Sequence, residues 1–101
     1  QVAQLSFEAP DLERFPCLGL AVQAARAGGT APAVINAANE VAVAAFLERS
    51  LNFDDIATVI DSVLQQHQVR PVRTLEDALA ADAWARDRAG AALSVRLAAG
   101  A

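Results

Sequence analysis

The sequence has few of the residues that build metal centres and disulfide frameworks. One cysteine, Cys17, and one histidine, His67, occur among 101 residues, and tyrosine is absent. A single cysteine excludes a disulfide within the chain and fits a reducing compartment. Zinc sites draw on cysteines and histidines clustered at short spacings, and the sequence has no such cluster. The common zinc-binding and disulfide-rich classes are therefore excluded.

Basic residues and long apolar runs are scarce as well. Eight Lys and Arg stand against twelve Asp and Glu, so the net charge is −4. An acidic chain repels phosphate backbones, which argues against nucleic-acid binding. No apolar run reaches the roughly 18 residues that a membrane span needs, and the first residues do not resemble a signal peptide. The sequence predicts a cytoplasmic protein with neither a nucleic-acid nor a membrane partner.

Apolar helix formers are abundant. Hydrophobic residues make up 54% of the chain, with alanine and leucine prominent, whereas aromatic residues make up 5%. Alanine and leucine cost little in a helix, while β-branched and aromatic residues are the usual strand formers. The length suits one domain with a single hydrophobic core. The predicted fold class is all-α.

The first half of the chain reads as a connector followed by two helices. Residues 1–15 are predicted to be an extended connector, and Pro16 suits the first turn of a helix. Gly28-Gly29 is typical of a helix C-terminus rather than of a phosphate-binding turn, which would follow a strand. Thr30 is predicted to cap the second helix, which continues to about Arg49. This helix is apolar nearly all round, as expected of a central helix.

Two further helices complete the prediction. Asn52 is predicted to cap the third, and Thr74 with Asp77 forms a capping box for the fourth. The fourth helix is expected to weaken at Gly90, to end near Leu97 and to leave a frayed tail. Residues 16–98 are therefore predicted to form a small four-helix bundle preceded by the connector.

The lone histidine and cysteine have structural and catalytic interpretations. His67 falls at the end of the third helix, where a solvated, partly charged imidazole would favourably face the negative end of the helix dipole. A general base needs a partner, and none can be identified. Cys17 lies on an apolar face, where a small core residue is a better interpretation than a reactive thiol.

Three polar residues interrupt the apolar second helix in VINAANEVAVAAF. Asn36, Asn39 and Glu40 are spaced three and four apart, so they share one helix face. An active site could use the carboxylate as a base and the amides as oxyanion donors. A buried hydrogen-bond network could use the same residues to bind a helix end, a loop or the connector, and spacing favours this structural role. On the fourth helix, Asp82 and Arg86 form either a surface ion pair or a clamp between helices or domains.

Four segments together resemble a known family. FEAPDLERFPCLGLA, GGTAPAVINAANEVAVAAFL, FDDIATVIDSVL and DAWAR, within residues 5–89, are similar to the C-terminal part of 1-deoxy-D-xylulose 5-phosphate reductoisomerases. NAANE and RFPCL carry the most specific similarity. The resemblance implies a bacterial or plastid enzyme of non-mevalonate isoprenoid synthesis. Such an enzyme rearranges deoxyxylulose phosphate and reduces it with NADPH, using Mg²⁺ or Mn²⁺.

The resemblance also implies that this chain is a fragment without catalytic residues. In the family, the metal carboxylates, an active-site histidine and the glycine-rich cofactor turn precede this segment. His67 and Glu40 therefore inherit no catalytic, cofactor-binding or metal-binding role. The expected partners are the catalytic and NADPH domains of the same chain, within a homodimeric parent. The alternative is an autonomous helical protein-interaction module.

Overall fold

The structure, a computed structural model, describes residues 16–100, with side chains for residues 16–95. Four helices lie in this range: α1 (Pro16–Ala27), α2 (Ala31–Leu47), α3 (Phe53–Gln66) and α4 (Leu75–Gly100). The same range contains no strand, so the predicted all-α class is confirmed. None of these helices is both long and apolar enough to cross a bilayer. The predicted connector lies outside the described residues.

The ends of α1 and α4 follow the local signals in part. Gly28 and Gly29 adopt positive φ values of 67° and 53°, as expected after a helix C-terminus. At the start of α4, the Asp77 N–H donates to Thr74 Oγ1 at 3.2 Å, and Asp77 Oδ2 accepts from the Thr74 N–H at 3.1 Å. The predicted capping box is therefore confirmed. The helix then continues through Gly90 to Gly100, beyond its predicted end.

The N-cap positions predicted for α2 and α3 are correct, but the predicted capping hydrogen bonds are absent. Thr30 and Asn52 stand at the N-cap positions, but neither side chain caps its helix. Thr30 Oγ1 instead bonds to a distant part of the chain. In the first turn of α3, the carboxylates of Asp54 and Asp55 interact favourably with the positive end of the helix dipole.

The core forms where α2 packs against the three other helices. Its most extensive contact is with α4, followed by α3 and then α1. The largest fully buried side chains are Val34, Val59, Ile60 and Val63. The buried side chains in the described part of α4 are all alanines: Ala81, Ala85 and Ala89. Small side chains let two helices approach closely, since the distance between axes depends on the residues at the contact.

Two expectations about burial are wrong. Cys17 is exposed, because α1 contributes only Ala24 to the fully buried set and its first turn is not covered by the other described residues. Partial desolvation nevertheless raises the pKa of the Cys17 thiol, which disfavours the reactive thiolate. The helix α2 is also not covered all round, since one face that includes Asn36 and Glu40 is exposed.

Candidate functional site

A cluster of hydrogen bonds joins the α1–α2 loop to the connection between α3 and α4. Thr30 is 4% exposed, and its N–H donates to the Arg70 carbonyl oxygen at 2.8 Å. The Arg70 N–H donates in return to Thr30 Oγ1 at 3.0 Å. His67 Nε2 lies 2.6 Å from the same hydroxyl oxygen. We call Gly29, Thr30, His67 and Arg70 the clasp, because they hold together two loops that are distant in sequence.

Gly29 permits this approach. A Cβ atom at Gly29 would overlap the Arg70 carbonyl oxygen and would lie 3.2 Å from Val69 Cγ1. At Gly28, by contrast, a Cβ atom would meet nothing within 4 Å. The Arg70 backbone therefore already occupies the space beside Gly29, and this side of the turn is not open to a ligand. The structure agrees with the interpretation of Gly28-Gly29 as a helix end.

A cleft of about 720 Å³ opens beside the clasp. Arg70 and Arg73 bring positive charge to its wall. The Asp77 carboxylate is held by the backbone N–H groups of Arg73 and Thr74, which lower its pKa. The described residues that line it are Thr30, Gln66, His67, Gln68, Arg70, Pro71, Arg73, Asp77, Ala80, Ala81 and Trp84. Among these residues, the cleft combines two cations with an aromatic ring, and the one carboxylate, that of Asp77, caps α4.

The environment of His67 differs from the predicted one. The residue is half-buried, and its ring centroid lies 5.2 Å from that of Trp84. Desolvation, with a smaller contribution from the Arg70 charge, lowers the pKa of His67 below its usual 6.5. The expectation of a solvated, partly charged imidazole is therefore wrong, because packing against Trp84 removes water from the ring. No carboxylate in the described part of the chain is hydrogen-bonded to His67, so it lacks the orienting partner of a general base.

The lowered pKa of His67 predicts a loss of stability on mild acidification. Between the unfolded value of 6.5 and the lower folded value, the unfolded state binds more protons, so the free energy of unfolding falls as pH falls. We expect the urea midpoint to decrease between about pH 7.5 and pH 5.5. His67→Gln should flatten this dependence. An equal slope in both proteins would contradict the assignment, because Asp77 and Asp82, whose pKa values lie below 3.8, contribute only at lower pH.

A second polar cluster connects α2 with α4 on the outside of the bundle. Asn36 Nδ2 donates to Glu40 Oε2 at 3.1 Å, and Arg86 Nη2 donates to Glu40 Oε1 at 3.0 Å. Arg86 Nε also donates to Asp82 Oδ1 at 2.6 Å. This bond is the main reason why the pKa of Asp82 is lowered. Arg86 thus pairs both within α4 and across to α2.

The expectation that Asn36, Asn39 and Glu40 are buried is wrong for the described residues. All three are exposed, and the Glu40 and Arg86 side chains are 54% and 42% exposed. They lie opposite the buried face of α2, which packs against α3 and α4. The Asn39 side chain has no hydrogen-bond partner among residues 16–95. Helical spacing correctly grouped Asn36 with Glu40, but it could not tell which side of α2 would be covered.

The described residues do not fit a metal or dinucleotide site. Within residues 16–95, no three His, Cys, Asp or Glu side chains are grouped so that they could hold a metal ion. Both Glu40 carboxylate oxygens already accept hydrogen bonds from protein groups. Gly29, though not Gly28, is closed off by the Arg70 carbonyl. Two sets of polar groups instead join parts of the chain that are distant in sequence: Thr30 with His67 and Arg70, and Glu40 with Arg86.

Comparison with known proteins identifies the family. The family model described as DXP reductoisomerase C-terminal domain matches residues 1–88. A 1-deoxy-D-xylulose 5-phosphate reductoisomerase of Pseudomonas aeruginosa strain UCBPP-PA14 is 58% identical over 89 residues, which are 88% of this chain and 22% of that protein. One from Moorella thermoacetica is 59% identical over 90 residues, 89% of this chain and 23% of that protein.

A solved structure agrees with these matches. The reductoisomerase from Zymomonas mobilis in complex with NADPH has a TM-score of 0.79 and 44% identity. The match covers 92% of this chain and 25% of that chain. The chain thus spans about a quarter of the length of its relatives. Since the family model covers most of its length, this chain belongs to the DXP reductoisomerase C-terminal domain family.

Proposed function

We propose that the chain is the non-catalytic C-terminal support domain of a reductoisomerase. The parent enzyme would convert 1-deoxy-D-xylulose 5-phosphate into 2-C-methyl-D-erythritol 4-phosphate with NADPH and a divalent cation, Mg²⁺ or Mn²⁺, in non-mevalonate isoprenoid synthesis. The observation that carries this proposal is the family match over residues 1–88. The relatives, at 58% and 59% identity, have the same enzyme name.

The way in which the chain uses its polar groups supports this role. Thr30 and Arg70 join two loops, and Arg86 joins α4 to Glu40 of α2. These bonds support a structural rather than a catalytic role for Asn36, Glu40 and the Asp82–Arg86 pair, and the proposal extends this role to Asn39 on the same helix face. In this proposal NADPH and the cation bind to other parts of the parent, which is consistent with the lack of a metal-ligand group among residues 16–95.

The arrangement of the parent extends this proposal. Residues 1–15 connect the catalytic part to a helical domain at residues 16–98, and the domain's partners are the preceding domains of its own chain. The parent is a homodimer in the bacterial cytoplasm. An autonomous interaction module is disfavoured, since the similarity to the reductoisomerases runs through 88% of the chain. The sequence encoded upstream distinguishes the two, because a strand, a glycine-rich turn and a helix would be expected there.

The proposal predicts that activity belongs to the complete protein and not to this chain. The complete protein should consume NADPH when it is given deoxyxylulose phosphate and Mn²⁺. The 101-residue chain should not convert deoxyxylulose phosphate, and calorimetric titration should detect no binding of NADPH to it. In the complete protein, Asn39→Ala and Glu40→Gln should leave kcat nearly unchanged. A fall in kcat of about 100-fold, or roughly 2.7 kcal/mol of barrier, without loss of folded protein would place these residues in the active site.

A further inference from the structure

The exposed face of α2 is unlike an ordinary solvated helix face. We call it the amide face, and its residues are Pro32, Asn36, Asn39, Glu40, Ala44 and Leu47. Glu40 is the only charged residue in Ala31–Leu47. Solvated helix faces usually carry several charges, as α3 does with Asp54 and Asp61 on its exposed side. The amide face is therefore poor in the charged residues that suit contact with water.

The polar part of the amide face is already organised. Asn36 and Arg86 each donate a hydrogen bond to one carboxylate oxygen of Glu40. Arg86 also donates to Asp82. The conformations of these side chains are therefore restricted before anything binds, which reduces the entropy lost on association. Asn39, beside this network, has an amide with no partner among the described residues. An amide of this kind can donate and accept hydrogen bonds across a contact.

Large apolar side chains are exposed near the C-terminal end of the amide face, next to the charged residues Glu48 and Arg49. Leu47 is 72% exposed, and Phe53, at the start of α3, is 70% exposed. The Phe53 ring packs edge-on against Phe46, with centroids 5.7 Å apart. The core of a protein interface is depleted in charged residues, and its rim is polar. The amide face has this character, because it combines exposed leucine and proline side chains, a single hydrogen-bonded carboxylate, and an amide without a partner among the described residues.

We propose that the amide face docks against the part of the parent polypeptide that precedes residue 1. This inference rests on the proposed function and specifies which surface the support domain uses. The matched family model is a C-terminal domain, and about three quarters of the relatives' length lies outside the matched region. That polypeptide is covalently attached, so its effective concentration exceeds that of a second copy or a separate partner. The low charge of the face fits an uncharged, mixed polar and apolar surface on that polypeptide.

Photocrosslinking of the complete protein tests this assignment. A diazirine analogue of leucine replaces Leu47, and in a control protein it replaces Leu75, which is similarly exposed at 69% but lies at the start of α4. The analogue is close in size to leucine, so it should leave docking intact. After irradiation, we expect position 47 to be linked to a peptide from before residue 1 of the same chain. The yield should be at least about tenfold above that at position 75.

Each other outcome counts against the proposal. A product of twice the mass would indicate a second copy, and a link to another protein would indicate a separate partner. Equal crosslinking yields at the two positions, or no crosslink at position 47, would mean that the amide face is not a docking surface. Turnover of deoxyxylulose phosphate is measured on the same protein before irradiation. An active enzyme without the link overturns the docking assignment alone, whereas an inactive unsubstituted protein overturns the proposed function.

Discussion

Replacing Gly29 with alanine is expected to lower the free energy of unfolding of this chain by about 3–4 kcal/mol. Two effects add. Gly29 has a φ of 53°, and a residue with a side chain loses about 1–2 kcal/mol in this left-handed region. The new Cβ atom would also overlap the Arg70 carbonyl oxygen, so the two loops must separate. Separation would break the two Thr30–Arg70 hydrogen bonds, each worth about 1 kcal/mol.

Gly28→Ala is the matched control for this prediction. Gly28 also has a positive φ, of 67°, but a Cβ atom there would meet nothing within 4 Å. Its loss should therefore be limited to the backbone term of about 1–2 kcal/mol. Urea unfolding followed by circular dichroism measures both variants. Equal losses in the two proteins would mean that the close contact between Gly29 and Arg70 does not contribute to stability.

Local signals in the sequence predicted the helices well. Pro16, the paired glycines and the capping box of Thr74 with Asp77 act through backbone geometry within a few residues, and each marks a helix end that the structure contains. A helix end depends mostly on its nearest neighbours in the chain. This is why the order and approximate bounds of the four helices could be predicted without any knowledge of their packing.

Long-range contacts could not be predicted in the same way. Thr30 has the right residue type and position for an N-cap, but its hydroxyl bonds to Arg70 and His67, which lie 40 and 37 residues away. His67 falls at a helix end with no partner nearby in the sequence, which predicts a solvated ring. Its contact with Trp84 joins two helices, and spacing along one helix does not report such a contact. The partner of Glu40 was missed for the same reason, since Arg86 lies 46 residues away.

The spacing of polar residues along α2 also could not predict whether their side chains are buried or exposed. Asn36, Asn39 and Glu40 lie on one face of α2, as predicted, but a polar stripe on an apolar helix is compatible with a buried network and with an outer surface. The bundle covers only the face that contains Val34, Ala38 and Ala42. The remaining face is uncovered because no other described helix lies there, and that depends on the number and arrangement of helices rather than on α2 itself.

A leucine in place of Ala85 is expected to destabilise the chain by about 3 kcal/mol, at the upper end of the usual cost of overpacking a core. Ala85 is 0% exposed and lies between Ala81 and Ala89, which are also buried. These alanines form the buried stripe of α4, whose most extensive contact is with α2. Three added carbon atoms cannot fit between helices that approach over alanine, so α4 must move away from α2. Chemical denaturation measures the resulting change in the free energy of unfolding.

Ala91→Leu separates this packing effect from helix propensity. Ala91 lies on the same helix but is exposed, so the substitution makes the same change in helix propensity without adding volume to the core. We expect its effect to stay within about 0.5 kcal/mol. A small effect at both positions would mean that the space beside Ala85 accepts a larger side chain, and hence that α2 and α4 are not closely packed there. A large effect at position 85 alone would establish the alanine stripe as the feature that fixes α4 against the central helix.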